Sequence, residues 1–197
     1  MENGTKNKKS LPLYFTHNEA IRLIEAAREL KTRSQFKSNL ISLSMQFQYY
    51  CGLRISEVLS VTPSDVKIDQ TRAEVLVKGK GHKQRIVPIV NREFLATIKY
   101  LNNDGLDLYE PYINKSRKTM WRWYKKVAAN MDVYINTHMF RHSFARNLLL
   151  KHVPINTISL LLGHAYLSTT IDKYLQLVPS SEELERAWTL LNEEEKK

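Results

Sequence analysis

The chain has a single cysteine, Cys51, so no internal disulfide can form and a zinc site built on thiolates is excluded. Cys51 stands between Tyr50 and Gly52 at the end of an apolar-periodic stretch, where a free cysteine acts as a small hydrophobe. Long apolar runs are missing too. None approaches the length needed to span a bilayer, and the opening MENGTKNKKS has no apolar segment of the kind a signal peptide carries. There is no internal repeat and no low-complexity tract. Acidic side chains are also scarce: 20 Asp and Glu face 30 Lys and Arg, a net charge of +10 and a pI near 9.6. That imbalance points to an anionic partner, with nucleic acid the foremost class and a membrane surface disfavoured by the missing apolar runs. A cytoplasmic location is the corresponding expectation.

What is present suits one domain. A chain of 197 residues that is 43% hydrophobic can bury a core. Residues 1–10 read as a basic arm. The capping box Thr16-x-x-Glu19 then announces a helix carrying Ile21, Ile24 and Ala27. Phe36, Leu40, Leu43, Phe47 and Tyr50 form a helical stripe expected to be core, with Gly52 as its C-terminal cap. A short helix over about 55–60 ends before Pro63. DVKID, RAEVLVK and RIVPIV read as three strands, the last two joined by the turn Gly79-Lys80-Gly81-His82. Beyond Asn91 the pattern is helical, over about 92–101, 116–131, 138–152, 155–162, 169–176 and 181–192. Asn91, Ser116, Thr137 and Ser180 are the expected caps, Gly163 closes a helix, and Pro154 and Pro179 interrupt the chain. The fold class is mostly α with a small antiparallel β-sheet.

Four segments carry side chains with chemistry. In THMFRHSFARNLLL, His138, Arg141 and His142 crowd the first turns of a helix. Solvated polar groups at a helix start are the plain reading. A zinc pair at i, i+4 is the other, but a metalloprotease motif requires Glu directly after the first His, where Met139 stands. In CGLRISEVLS, Glu57 follows Arg54 by three residues, either as an ordinary salt bridge or as the carboxylate that holds an arginine fork ready for a phosphate. VKGKGHKQRIVPI lacks the spacing of a nucleotide-binding loop. Its Lys78, Lys80, Lys83 and Arg85 read as a solvated hairpin tip, on which a mobile lysine is well placed to enter a groove. LLGHAYLSTTIDKYLQL sets His164 just past a helix cap and Tyr174 on a short helix. A lone tyrosine is ordinarily packing.

Taken together and in order, GLRISE, the lysine of GKGHKQRIVPI, HMFRH, LLGH and the Tyr174 segment resemble the catalytic domain of the tyrosine recombinases, the phage integrase family, from about Leu11 to Leu177. The resemblance implies that fold and a site-specific recombinase cutting and rejoining double-stranded DNA without metal, nucleotide or other cofactor. Arg54 and Arg141 would hold the scissile phosphate and Tyr174 would attack it, leaving a 3′-phosphotyrosine. Lys80 would protonate the leaving oxygen, His138 would move protons to and from the nucleophile, and His164 would hydrogen-bond the phosphate or leaving group. Glu57 and His142 would be supports. Tyr174 follows His164 by ten residues, one more than in many members. The resemblance implies a catalytic domain over 11–178 and a free monomer that assembles into a synaptic tetramer on DNA; the residues after Pro179 read as a C-terminal amphipathic helix or tail over 179–197, and, in a departure from larger members, no separate N-terminal core-binding domain is expected. A DNA-relaxing topoisomerase of the IB type and an accessory DNA-binding protein of the same fold are the alternatives, and a basic RNA-binding module would account for the charge but not for the ordered motifs.

Overall fold

The computed structural model describes residues 13–30, 35–79, 81 and 83–174. The basic arm 1–10, Lys80, His82 and the tail over 179–197 lie outside the described residues. The first helix, α1 (His17–Glu29), begins at the expected capping box. Thr16 Oγ1 accepts from the Glu19 amide, and Glu19 Oε2 accepts from the Thr16 amide at 2.7 Å. Next come α2 (Gln35–Cys51) and the single turn α3 (Ile55–Val58), then an antiparallel sheet in the order β1 (Val66–Ile68), β2 (Ala73–Lys78), β3 (Gln84–Ile89). Among the described residues five helices follow: α4 (Arg92–Asn103), α5 (Arg117–Ala129), α6 (Met139–Leu150), α7 (Ile155–Leu162) and α8 (Leu167–Tyr174). Among the described residues no helix is long and apolar enough to cross a membrane.

The centre of the molecule is α2, against which α1, α3, α5, α6 and β3 all pack. Leu40, Leu43 and Phe47 of the expected stripe are buried and Cys51 is fully enclosed. The stripe fails at its start, where Phe36 is 66% exposed in the first turn of the helix. The stripe also understates the burial of α2, because Ser38, Ser42, Ser44, Gln46 and Gln48 are buried as well. A helix enclosed on every side must satisfy such groups internally. Ser44 Oγ meets the Tyr124 hydroxyl at 2.9 Å, Tyr124 donates to Gln48 Oε1 at 2.8 Å, and Gln48 Nε2 donates to the carbonyl of Thr137 at 2.6 Å. This polar chain runs from α5 through α2 to the residues that precede α6. It fixes where α6 starts, and the N-cap there is His138, not Thr137, with no side-chain capping bond.

Two glycines turn the chain toward what becomes the site. Gly52 ends α2 with φ +64°, and Gly163 ends α7 in the left-handed region with the same φ. A methyl group on Gly52 would run into the Phe144 ring. Gly52→Ala therefore combines backbone strain with a clash, and is expected to lower the unfolding free energy by roughly 2–4 kcal/mol. Urea denaturation should show this as a lower midpoint at unchanged slope.

Candidate functional site

The site is organised by Glu57, whose side chain is only 6% exposed. Lying in the first turn of α3, its carboxylate accepts from the backbone amide of Arg54 at 2.7 Å and from Arg54 Nη1 at 2.9 Å. Arg85 of β3 grips the same carboxylate with both arms of its fork, Nη1 to Oε1 at 3.0 Å and Nη2 to Oε2 at 2.8 Å. Arg141 of α6 brings Nη1 to 3.7 Å from Oε2. Burial alone would raise the Glu57 carboxyl, but the hydrogen bonds and charge of Arg85, the Arg54 amide and Arg141 outweigh it and hold the group at about 2. Three guanidiniums around one carboxylate leave a positive surplus in a poorly solvated place.

That surplus is directed at the end of α7, where carbonyls point outward without intrahelical partners. Arg85 Nε donates to Leu161 O at 2.7 Å and Arg141 Nη2 to Leu162 O at 2.7 Å. Arg54 Nη1 and Nη2 reach Leu162 O at 3.4 Å and Gly163 O at 3.5 Å. Arg141 also donates to Gly52 O at 2.6 Å. Three arginines from α3, β3 and α6 thus tie one helix end in place, and His164 is the residue after it. His164 Nδ1 lies 2.7 Å from the Oγ1 of fully buried Thr170, which fixes the ring against α8. Arg141 is pulled down to about 9, by burial first and then by the charge of Arg54, with Glu57 opposing. It stays cationic at neutral pH.

A groove of about 780 Å³ opens beside this cluster, lined by Arg54, Lys78, Lys83, Arg85, Gly163 and His164 among others. Of the three arginines on Glu57, Arg54 is the most exposed, at 36%. Lys78 is paired at 2.7 Å with the buried Asp65. Tyr174 does not line this groove: it is 1% exposed, in a small apolar cluster with Phe144, Ala145, Ile158 and Leu162. Its hydroxyl is 2.7 Å from Nδ1 of His142. Burial pushes the phenol up to about 12, although Arg141 acts in the opposite direction.

The structure therefore brings Arg54, Glu57, Arg141 and His164 into one cluster, with Tyr174 and His142 adjoining it. His138 is exposed at the N-cap of α6, its ring centroid 6.2 Å from that of His142. Lys80 is outside the described residues. Arg85 corrects the reading of a solvated hairpin tip: its side chain is 11% exposed and makes three hydrogen bonds, two to Glu57 and one to Leu161 O. A signal for this was available. In β3, Arg85, Val87 and Ile89 share one strand face, and the two apolar residues are buried, so Arg85 holds an inward position and requires an internal partner.

Removing the carboxylate strands three buried or half-buried cations. Glu57→Gln is expected to cost about 3–5 kcal/mol of stability at neutral pH. The sign follows from the depressed folded-state value. Stability from Glu57 is complete above its ordinary 4.5 and is lost as the pH falls through about 2. Thermal unfolding of the two proteins at a series of pH values should therefore show their difference constant down to about pH 5 and shrinking below it.

Known proteins share this arrangement of sequence and fold. The profile of the phage integrase family matches residues 14–180. The chain is 31% identical over 173 residues to tyrosine recombinase XerA of Pyrococcus horikoshii, covering 84% of this chain and 57% of the relative. It is 33% identical over 183 residues to tyrosine recombinase XerC of Thermodesulfovibrio yellowstonii, covering 85% and 59%. It thus spans less than three fifths of the length of these relatives. Among solved structures, XerH site-specific recombinase bound to its difH substrate in a pre-cleavage complex superposes with a TM-score of 0.75 at 20% identity, over 93% of this chain and 55% of that one. The catalytic domain of bacteriophage HP1 integrase gives 0.64 at 18% identity, over 88% and 92%. The fold is that of the tyrosine recombinase catalytic domains, and the chain belongs to the phage integrase family.

Proposed function

We propose that the chain is the catalytic part of a site-specific DNA recombinase that cuts and rejoins duplex DNA through a 3′-phosphotyrosine at Tyr174. The observation that carries this reading is the convergence of Arg54 and Arg141 on the Leu162 carbonyl, two residues before His164, with Leu162 packed in the same apolar cluster as Tyr174. Attack on a phosphodiester builds negative charge on its equatorial oxygens, and fixed guanidiniums in a site with little water stabilise that charge. Arg54 and Arg141 take that role, with His164 as a further donor. Their bonds to Leu162 O and Gly163 O are the contacts a phosphate oxygen would replace. Tyr174 Oη attacks phosphorus, the bond to the 5′ oxygen breaks, and Lys80 supplies the proton that the leaving oxygen takes. His138 serves proton transfer on the nucleophile's side. A phosphotyrosine ester conserves the energy of the broken bond, so neither a metal ion nor a nucleotide is required.

The surface supports a duplex as partner. Lys115, Arg117, Lys118, Arg122, Lys125 and Lys126 are all exposed on or just before α5, and no acidic residue lies between Asn114 and Ala129. A cleft of about 260 Å³ lined by Arg117, Trp121, Asn136, Thr137 and Ile55 leads from this helix to the start of α6. Phosphate contacts from such a face position a duplex without reading its sequence. Relatives named as recombinases and a neighbour solved on its substrate agree with the assignment. Assembly of four subunits around two duplexes, with the tail over 179–197 docking on a neighbour, belongs to the same proposal.

Nicked suicide duplexes from the DNA flanking the gene should trap a covalent complex with the wild-type chain. Tyr174→Phe is expected to abolish the adduct while DNA binding, measured by gel shift, persists, and EDTA should leave the wild-type adduct intact. An adduct on Tyr174→Phe, or one lost on chelation, overturns the mechanism. A second test addresses geometry. Arg141→Lys keeps the charge but loses the planar fork, so single-turnover cleavage should fall by about 10²-fold or more while affinity changes far less.

A further inference from the structure

Tyr174 occupies an apolar seat in which its hydroxyl requires an internal partner. The partner is not one of the backbone groups that satisfy most buried hydroxyls but the Nδ1 of His142 at 2.7 Å, with the two rings edge to face at 6.0 Å and 61°. His142 directly follows Arg141 on α6. Successive helical residues diverge by about 100°, so Arg141 is directed at the carbonyls of Gly52 and Leu162 while its neighbour is directed at α8. One turn of α6 therefore meets the phosphate side of the site with one residue and the nucleophile with the next.

Imidazole is the side chain suited to reversible proton exchange near neutrality. Burial holds the Tyr174 phenol at about 12, so attack by its oxygen requires a proton acceptor in place. We propose that His142 is a catalytic residue, the group that takes the proton of Tyr174 during cleavage and returns it during rejoining. This rests on the reading of Tyr174 as the nucleophile. In cleavage the bond from Oη to phosphorus forms as the Oη proton passes to Nδ1 of neutral His142. The bond from phosphorus to the 5′ oxygen breaks, and that oxygen takes its proton from Lys80. In rejoining a DNA 5′-hydroxyl attacks, its oxygen bonds to phosphorus while its proton returns to the Lys80 amine, the phosphotyrosine bond breaks, and the His142 imidazolium protonates the departing phenolate. His138, exposed at the N-cap with its ring 6.2 Å from that of His142, exchanges the proton between His142 and solvent. A support that merely seats the tyrosine would need none of this chemistry.

The test uses the full chain and the flanking-DNA duplex that it labels, remade with sulfur in place of the bridging 5′ oxygen at the cut. A thiolate leaves without an acid, so sulfur cures defects on the leaving-group side only. His142→Gln retains a hydrogen-bonding partner for the phenol but cannot accept its proton. On the oxygen duplex it should cleave about 10²- to 10³-fold more slowly than wild type with little change in Kd. Sulfur should not restore its rate, whereas it should restore Lys80→Ala. Added imidazole should accelerate His142→Ala and leave Tyr174→Phe inert. Should His142→Gln unfold early in a thermal scan, His142→Asn takes its place. A rate within about threefold of wild type, restoration by sulfur, or a loss confined to Kd overturns the assignment. If the wild-type chain labels no duplex at all, the reading of Tyr174 fails first, and this inference with it.

Discussion

The ion cluster on Glu57 governs the geometry of everything around it. A carboxylate this buried is unfavourable unless it is paired and fully hydrogen-bonded, and Arg54, Arg85 and Arg141 meet that requirement from three different elements. The dependence runs both ways. Without the carboxylate, the guanidiniums would repel one another and turn toward water, and α3, β3 and α6 would lose the tie that sets their relative positions. With it, the arginines hold the three carbonyls at the end of α7, and those carbonyls in turn place His164.

The polar chain through α2 does the corresponding work on the other side of α6. Ser44, Tyr124 and Gln48 lead to the Thr137 carbonyl and set where that helix begins, and hence the directions of Arg141 and His142. Both devices are buried hydrogen-bond networks whose members are satisfied. Such networks contribute little net stability but fix one arrangement among many. The apolar core determines that the helices pack, while these polar contacts determine the register at which side chains meet around the groove.

The sequence was most readable where chemistry is local. The capping box at Thr16, the glycine ends at Gly52 and Gly163, and the Arg54–Glu57 pair each depend on residues a few positions apart, and each is found as expected. Among the described residues, the strands and helices lie close to their expected bounds for the same reason. Contacts made across the fold were harder to foresee. Arg85 reaches Glu57 from 28 positions away, and only the strand alternation hinted that it faces inward. The Thr137 carbonyl is taken by Gln48, 89 residues earlier in the chain, so the cap falls one position later than side-chain preference indicates. The partnership of His142 with Tyr174 arises because α6 and α8 share a small apolar cluster, and no spacing rule encodes that meeting.

Arg85 also has a bearing on how separable the parts of this domain are. In sequence Lys80 lies between β2 and β3, and near the connecting end of this hairpin Arg85 is locked to Glu57 and to Leu161 O, with Gly163 so close that an added Cβ would stand 2.8 Å from Arg85 Nη1. The hairpin is therefore not a cassette that can be exchanged between relatives by itself. A chimera would have to carry the inward arginine, the α3 carboxylate and the glycine after α7 together, as one inherited unit dispersed through more than a hundred residues of chain.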